Sequence, residues 1–184
     1  MKRLILLIVF IAPIFSIQAQ YYYSKEVKGH FYSDAPLEKI EAENLKGSVV
    51  VNTKNNEVEC AFNIEDFKFQ NKLMEEHFNE NYLESEKFPK ATFKGKLDKW
   101  PGEGQIGDVT EAMVTGKMTM HGVENDFSGP ATITILEDSN YEVKTRFKIK
   151  IADYDIKIPT AVFRKIAEEV EIDVEATLKP FGSK

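Results

Sequence analysis

Residues 141–151 read YEVKTRFKIKI. Tyr141, Val143, Thr145, Phe147, Ile149 and Ile151 fall on one side of a period-two pattern, and Glu142, Lys144, Arg146, Lys148 and Lys150 on the other. Side chains alternate between the two faces of a strand, so the segment predicts a strand with one buried and one wet face. A wet face belongs to an antiparallel sheet, because parallel sheets are covered on both sides. An apolar face of this length needs a cover, and most other segments of the chain offer the same alternation. The pattern predicts a sheet closed on itself around its inner faces.

The first residues stand outside that sheet. Met1-Lys2-Arg3 is a short positive start, residues 4–17 are almost wholly apolar, and Ser16-Ile17-Gln18-Ala19 ends on a small side chain. This is the pattern of a secretory signal peptide cut after Ala19. The other reading is an uncleaved anchor, but a span needs about 20 apolar residues, more than the run supplies. No Cys directly follows the run, which argues against a lipoprotein anchor. The expected division is a signal peptide at 1–19 and one domain at 20–184, periplasmic or secreted, with no membrane span after cleavage. Removing Lys2 and Arg3 takes the formal charge from −6 to −8. An acidic surface repels phosphate backbones and argues against nucleic acid. Cys60 is the one cysteine, so no intrachain disulfide forms and stability must come from the core.

Taken in order, Val27, Gly29, Phe31 and Ser33 alternate with polar neighbours as a first strand, and Asp34-Ala35-Pro36 breaks it. Residues 37–45 fit either a helical turn or an irregular strand. Gly47, Val49 and Val51 resume the alternation, and after the polar turn at 52–56 Val58, Cys60, Phe62 and Ile64 answer it, a hairpin. Leu73, Met74, His77 and Phe78 then take helical spacing, predicting one short amphipathic helix at about 71–81 over one end of the sheet, with Phe67 and Phe69 beneath it. Alternation returns at Ala91, Phe93, Gly95 and Leu97, at Ala112, Val114, Gly116, Met118 and Met120, and at Ala131, Ile133 and Ile135. The glycine-containing loop 100–107 lacks the Lys-Ser/Thr pair and following helix of a phosphate cradle, so it reads as a plain connection. Residues 152–164 cross one end of the sheet.

The last strand carries Val170, Ile172, Val174, Ala176 and Leu178 inward and Glu169, Glu171, Asp173 and Glu175 outward. One antiparallel register sets Lys150, Lys148, Arg146 and Lys144 opposite these four acids in turn. Each exposed pair is worth under about 1 kcal/mol. Together they specify register, since a one-residue slip turns apolar side chains outward.

The stretch from Phe67-Lys68-Phe69 through Leu73-Met74-Glu75-Glu76-His77-Phe78 to Phe88-Pro89-Lys90-Ala91-Thr92-Phe93 resembles the YceI-like family of exported bacterial proteins. Met118-Thr119-Met120-His121-Gly122-Val123 and Tyr154-Asp155-Ile156-Lys157-Ile158-Pro159 resemble two later elements of the same family. The resemblance implies an all-β fold, a single eight-stranded antiparallel lipocalin-like barrel. It also implies a long apolar cavity that in some members holds a polyisoprenoid, such as an isoprenoid quinone, or a related long-chain amphiphilic lipid.

An eight-stranded barrel is either filled by side chains or holds one small ligand. Gly29, Gly47, Ala91, Gly95, Ala112, Gly116, Ala131 and Ala176 recur on the inner faces, which favours a cavity. The competing reading is that Gly95 and Gly116 mark bends that close the barrel. The expected wall is Phe31, Phe62, Phe93, Ala112, Val114, Gly116, Met118, Phe147, Ile149 and Val174, and the expected mouth is Phe67, Phe69, Met74, Phe78 and Phe163. A hollow barrel is expected to tolerate Gly116→Leu or Ala112→Leu, and a filled one to be overpacked by them. No catalytic residues are identified: His30, His77 and His121 have no metal-ligand spacing, and no nucleophile motif appears. Cys60 falls on an inner face, where a thiol is inert. The expected partner is a long-chain lipid, with no other cofactor and no metal; a homodimer is left open. The alternative function is a ligand-free envelope protein acting through its outer surface.

Overall fold

The strands follow one another around a single closed ladder. They are β1 (Tyr21–Asp34), β2 (Lys39–Asn52), β3 (Glu57–Asn63), β4 (Lys68–Phe69), β5 (Lys90–Leu97), β6 (Val109–Met120), β7 (Val123–Ile135), β8 (Tyr141–Lys150) and β9 (Glu169–Pro180), with one α-helix, α1 (Lys72–His77), after β4. The structure is a computed structural model and describes residues 20–158 and 167–182. The order β1-β9-β8-β7-β6-β5-β3-β2 closes through a β1–β2 pairing, and every pair is antiparallel. Eight strands form the barrel, and the two-residue β4 adds to β2 at one rim. This is the closed sheet that the alternation predicted and the eight-stranded lipocalin-like barrel that the family resemblance implied.

The alternation places the walls as read. In β8 the even-numbered residues from Lys144 to Lys150 are exposed, and Ile149 is buried. The β8–β9 register sets Lys150 opposite Glu169, Lys148 opposite Glu171, Arg146 opposite Asp173 and Lys144 opposite Glu175, as the charges predicted. The ion pairs are fewer than the register allows. Arg146 donates to both carboxylate oxygens of Asp173, whereas Lys144 Nζ turns along its own strand to Glu142 at 2.9 Å. Hydrophobic alternation therefore carries most of the register, and charge adds one bidentate pair.

Residues 37–45, left between helix and strand, belong mostly to β2. The β1–β2 register shifts between Ser24 and Gly29, so β2 carries an irregularity at Asn44–Gly47. Asn44 is fully buried there: its Nδ2 donates to the Asn63 carbonyl at 2.9 Å and its Oδ1 accepts from the Lys46 amide at 2.9 Å. Those bonds satisfy the buried amide and hold the bulge, which turns Leu45 to solvent.

The predicted helix at 71–81 is shorter than its apolar spacing suggested. Asn71 caps α1, its side chain accepting from the Leu73 amide at 2.9 Å. After His77 the chain widens into a π turn, Phe78–Tyr82, closed by the Leu83 amide on the Phe78 carbonyl. No helix among the described residues is long and apolar enough to cross a membrane.

Candidate functional site

The two ends of the barrel are built differently. At one end Tyr22, Trp100 and Tyr141 meet with ring centroids 4.8–5.8 Å apart. With Ala112, Ile133 and Leu178 they make a close-packed floor. Trp100 comes from the loop 100–107, so the glycine-containing connection supplies a plug. At the other end the rings of Phe31, Phe67, Phe69 and Phe78 cluster under α1, Phe31 stacked on Phe78 at 5.6 Å and Phe69 tilted against Phe78 at 5.0 Å. A second packed group, including Ile64, Leu83, Ile151, Tyr154 and Ile156, lies beside this cluster.

Between floor and rim the barrel is hollow. The cavity holds about 550 Å³, and its wall is drawn from all eight barrel strands and from α1. That volume lies in the range of small-molecule sites. The wall is almost wholly apolar. Most polar side chains on it, among them Ser33, Glu38, Asn71 and His77, belong to the α1 end, and Thr145, at mid-height, donates to the Pro130 carbonyl. Ser33 is itself buried and accepts from the Ala167 amide at 3.0 Å. Such a surface binds by apolar burial, at roughly 25 cal/mol per Å², and orients a polar group only near the rim.

Cys60 lines this cavity. Its accessible surface faces the cavity and not bulk water, and burial pushes its thiol up to about 12. A thiol held protonated is a poor nucleophile, so Cys60 is part of an apolar wall. Among the described residues no group of three or more His, Cys, Asp or Glu is placed to hold a metal ion.

Twelve of the expected site residues line the cavity: Phe31, Phe62, Phe67, Phe69, Met74, Phe78, Phe93, Val114, Met118, Phe147, Ile149 and Val174. Phe163 lies outside the described residues. Ala112 and Gly116 do not line the cavity. Ala112 is packed into the floor. Gly116 pairs with Gly95 across β5 and β6, and a Cβ on Gly116 would strike the Lys94 carbonyl oxygen. The bend reading of these two glycines therefore replaces the cavity reading, and neither Gly116→Leu nor Ala112→Leu tests for a hollow barrel. Gly29 and Gly47 do serve the interior: the Phe62 ring lies over both, 2.8 Å from where a Cβ on Gly29 would be.

Phe127 is a lining residue that the alternation did not single out. Its strand was read only from Ala131 onward, because Asn125 and Gly129 dilute the pattern upstream. The ordered series Val123, Asn125, Phe127, Gly129, Ala131 was the signal available. Ile40 is likewise a wall residue hidden by the ambiguity of 37–45.

Several solved structures share this architecture. A polyisoprenoid binding domain from Saccharophagus degradans, implicated in plant cell wall breakdown, is 14% identical, with a TM-score of 0.74 over 89% of this chain and 99% of that one. Burkholderia cenocepacia BcnA is 18% identical, with a TM-score of 0.67 over 83% and 96%. A Campylobacter jejuni YCEI protein is 15% identical, with a TM-score of 0.55 over 96% and 97%. At such identities the likeness concerns the fold. No curated protein matches the sequence. The YceI-like domain family matches residues 13–178, which is most of the chain, and the chain belongs to that family.

Proposed function

We propose that this protein is an exported, non-enzymatic carrier or sequestering protein for one long-chain amphiphilic lipid, of the polyisoprenoid or isoprenoid-quinone class. The observation that carries the reading is the apolar cavity of about 550 Å³, floored by Tyr22, Trp100 and Tyr141 and rimmed by phenylalanines under α1. Most polar wall residues gather at the α1 end, which favours the head group there and the chain running toward the floor. The name of the Saccharophagus degradans domain supports the ligand class. The apolar run at 4–17 and Ala19 support export with a mature start at Gln20.

The test is organic extraction of the purified, exported protein followed by mass spectrometry, with an intact mass of the polypeptide alongside. The expected result is one long-chain amphiphile per protein and a mass that begins at Gln20. A protein that yields no lipid and takes up no added fluorescent long-chain probe would overturn the carrier reading in favour of an outer-surface role. A retained residue 1–19 segment would overturn the cleavage.

A further inference from the structure

The barrel wall is incomplete on one side. The β7–β8 ladder runs only from Ile135↔Tyr141 to Thr132↔Lys144, although β7 begins at Val123 and β8 continues to Lys150. Pro130 explains the stop. Ile135 exchanges hydrogen bonds with Gly107 and Asp108 on the β6 side, so even-numbered residues of β7 turn their main-chain groups toward β8. Thr145 Oγ1 accordingly donates to the Pro130 carbonyl, at 2.6 Å. Pro130 would be next in the ladder, opposite Arg146, and it has no N–H to give. The strands part there, and beyond the gap Asn125 Nδ2 donates to the Asp153 carbonyl at 2.7 Å.

Between those two hydrogen bonds lies a depression of about 500 Å³ on the outside of the barrel, bordered by Asp126 and Ser128 on β7 and by Lys148 and Lys150 on β8. Phe127, Phe147 and Ile149 line both this depression and the internal cavity. The rings of Phe127 and Phe147 meet edge to face with centroids 4.6 Å apart. The Phe127 ring lies back over Gly129, where a Cβ would come within 2.7 Å of it. Among the described residues no main-chain pair closes the wall at this height; packed side chains do. Side chains rotate without breaking a ladder, so the wall can open at this height with no loss of main-chain hydrogen bonds.

We propose that this seam is a side entrance to the cavity, through which a single-chain amphiphile passes between Phe127 and Phe147. The proposal rests on the carrier reading and adds a route to it. In cross-section the seam matches such a molecule: its outer lip is polar and of mixed charge, and its inner lip is aromatic and aliphatic.

A passage and a binding contact leave different kinetic marks. Closing a passage slows entry and exit by the same factor and leaves Kd unchanged, while loss of a contact changes Kd. The test uses cis-parinaric acid, a fluorescent polyene fatty acid, and stopped-flow rates of loading and release. Ser128 and Lys148 face each other if the β7–β8 register is continued, and both side chains point outward. The variant Ser128→Cys/Lys148→Cys, joined by a short bis-maleimide, clamps the seam; the same variant before joining is its control. Pro130→Val, which restores the missing N–H, is the second arm. The expected result is loading and release both slowed about tenfold or more by the clamp, as for a locked lid, with Kd within about twofold. Pro130→Val should slow both in the same direction. Unchanged rates in the clamped protein would overturn the side entrance while leaving the carrier reading intact. A changed Kd with an unchanged loading rate would also overturn it. No uptake by the unmodified protein would remove the carrier reading and this inference together.

Discussion

His121 Nε2 lies 2.8 Å from Glu84 Oε2, and the same ring reaches the Tyr154 carbonyl through Nδ1 at 2.9 Å. A carbonyl only accepts, so Nδ1–H donates to it. Three segments are tied at this point: the connection after α1, the β6–β7 turn, and the 3-10 turn Ile151–Tyr154 after β8. All three sit at the α1 end. Phe88 packs edge-on against the ring at 4.8 Å and shields it.

The His121 hydrogen bond holds the Glu84 carboxyl below its ordinary value. A depressed acid favours the folded state above its unfolded value, and that contribution is lost as pH falls through the folded value. Glu84 is on the surface, so the effect on stability is small. Thermal melts of Glu84→Gln and of the unmodified protein should differ most near neutral pH and converge as pH falls below about 4. A difference that does not narrow at any pH below the ordinary carboxylate range would remove the ionic part of this tie.

Cys60 should resist thiol reagents in the folded protein. Its thiol is raised from 9.0 to about 12 by burial in the cavity wall. At about pH 8 the thiolate fraction is therefore very small, and reaction with dithionitrobenzoate should wait for unfolding by denaturant. The linkage has the opposite sign to that of Glu84: folding favours the protonated thiol, so its contribution is complete below 9.0 and lost as pH rises toward 12. Rapid labelling under native conditions would mean that reagent enters the cavity and that the thiol ionises there.

The parts of the fold that could be read early are those where one periodicity runs unbroken. Tyr141–Lys150 and Glu169–Pro180 keep strict alternation, and their register followed from it. Residues 37–45 did not, because a bulge around the buried Asn44 changes which neighbours face inward, and no hydrophobic period encodes a bulge. The cavity wall was legible for the same reason as the strands: inner residues are every second residue. Gly116 and Ala112 were misplaced because small size alone does not distinguish a hollow from a corner or a packed floor. The seam was hidden for a third reason. Pro130 stands in an otherwise regular strand, and which ladder its missing N–H breaks depends on which neighbour its main chain faces.

Gly116 and Gly29 should respond to alanine in different ways. At Gly116 the new Cβ meets the Lys94 carbonyl on the adjacent strand, which cannot move without disturbing the β5–β6 ladder. At Gly29 it meets the end of the Phe62 ring at 2.8 Å, and Phe62 borders the cavity and can turn into it. Gly116→Ala should cost roughly 1–3 kcal/mol, as overpacking does. That is a fall of several degrees in Tm for a chain of this size. Gly29→Ala should cost under about 1 kcal/mol and reduce the space available to a ligand. Equal destabilisation in denaturant melts would mean that the interior has no room for the ring to move.

Val174→Phe separates a hollow barrel from a filled one at a position that is on the cavity wall. Val174 sits between Gly29 of β1 and Thr145 of β8, away from both the Tyr22–Trp100–Tyr141 floor and the Gly95–Gly116 corner. Its side chain projects into the cavity of about 550 Å³. In a filled core the added volume would force off-rotamer side chains and cost roughly 1–3 kcal/mol. In a hollow barrel the ring gains apolar contacts with the wall and displaces only what the cavity would otherwise hold. The protein should therefore keep its Tm within a few degrees, the shift that about 1 kcal/mol gives in a chain of this size. It should also lose most of its affinity for a long-chain probe. The pair of measurements is a thermal melt and a probe titration on the same preparation. A large loss of stability would show the interior to be packed at this height. Retained stability with unchanged probe affinity would place the binding site outside the barrel.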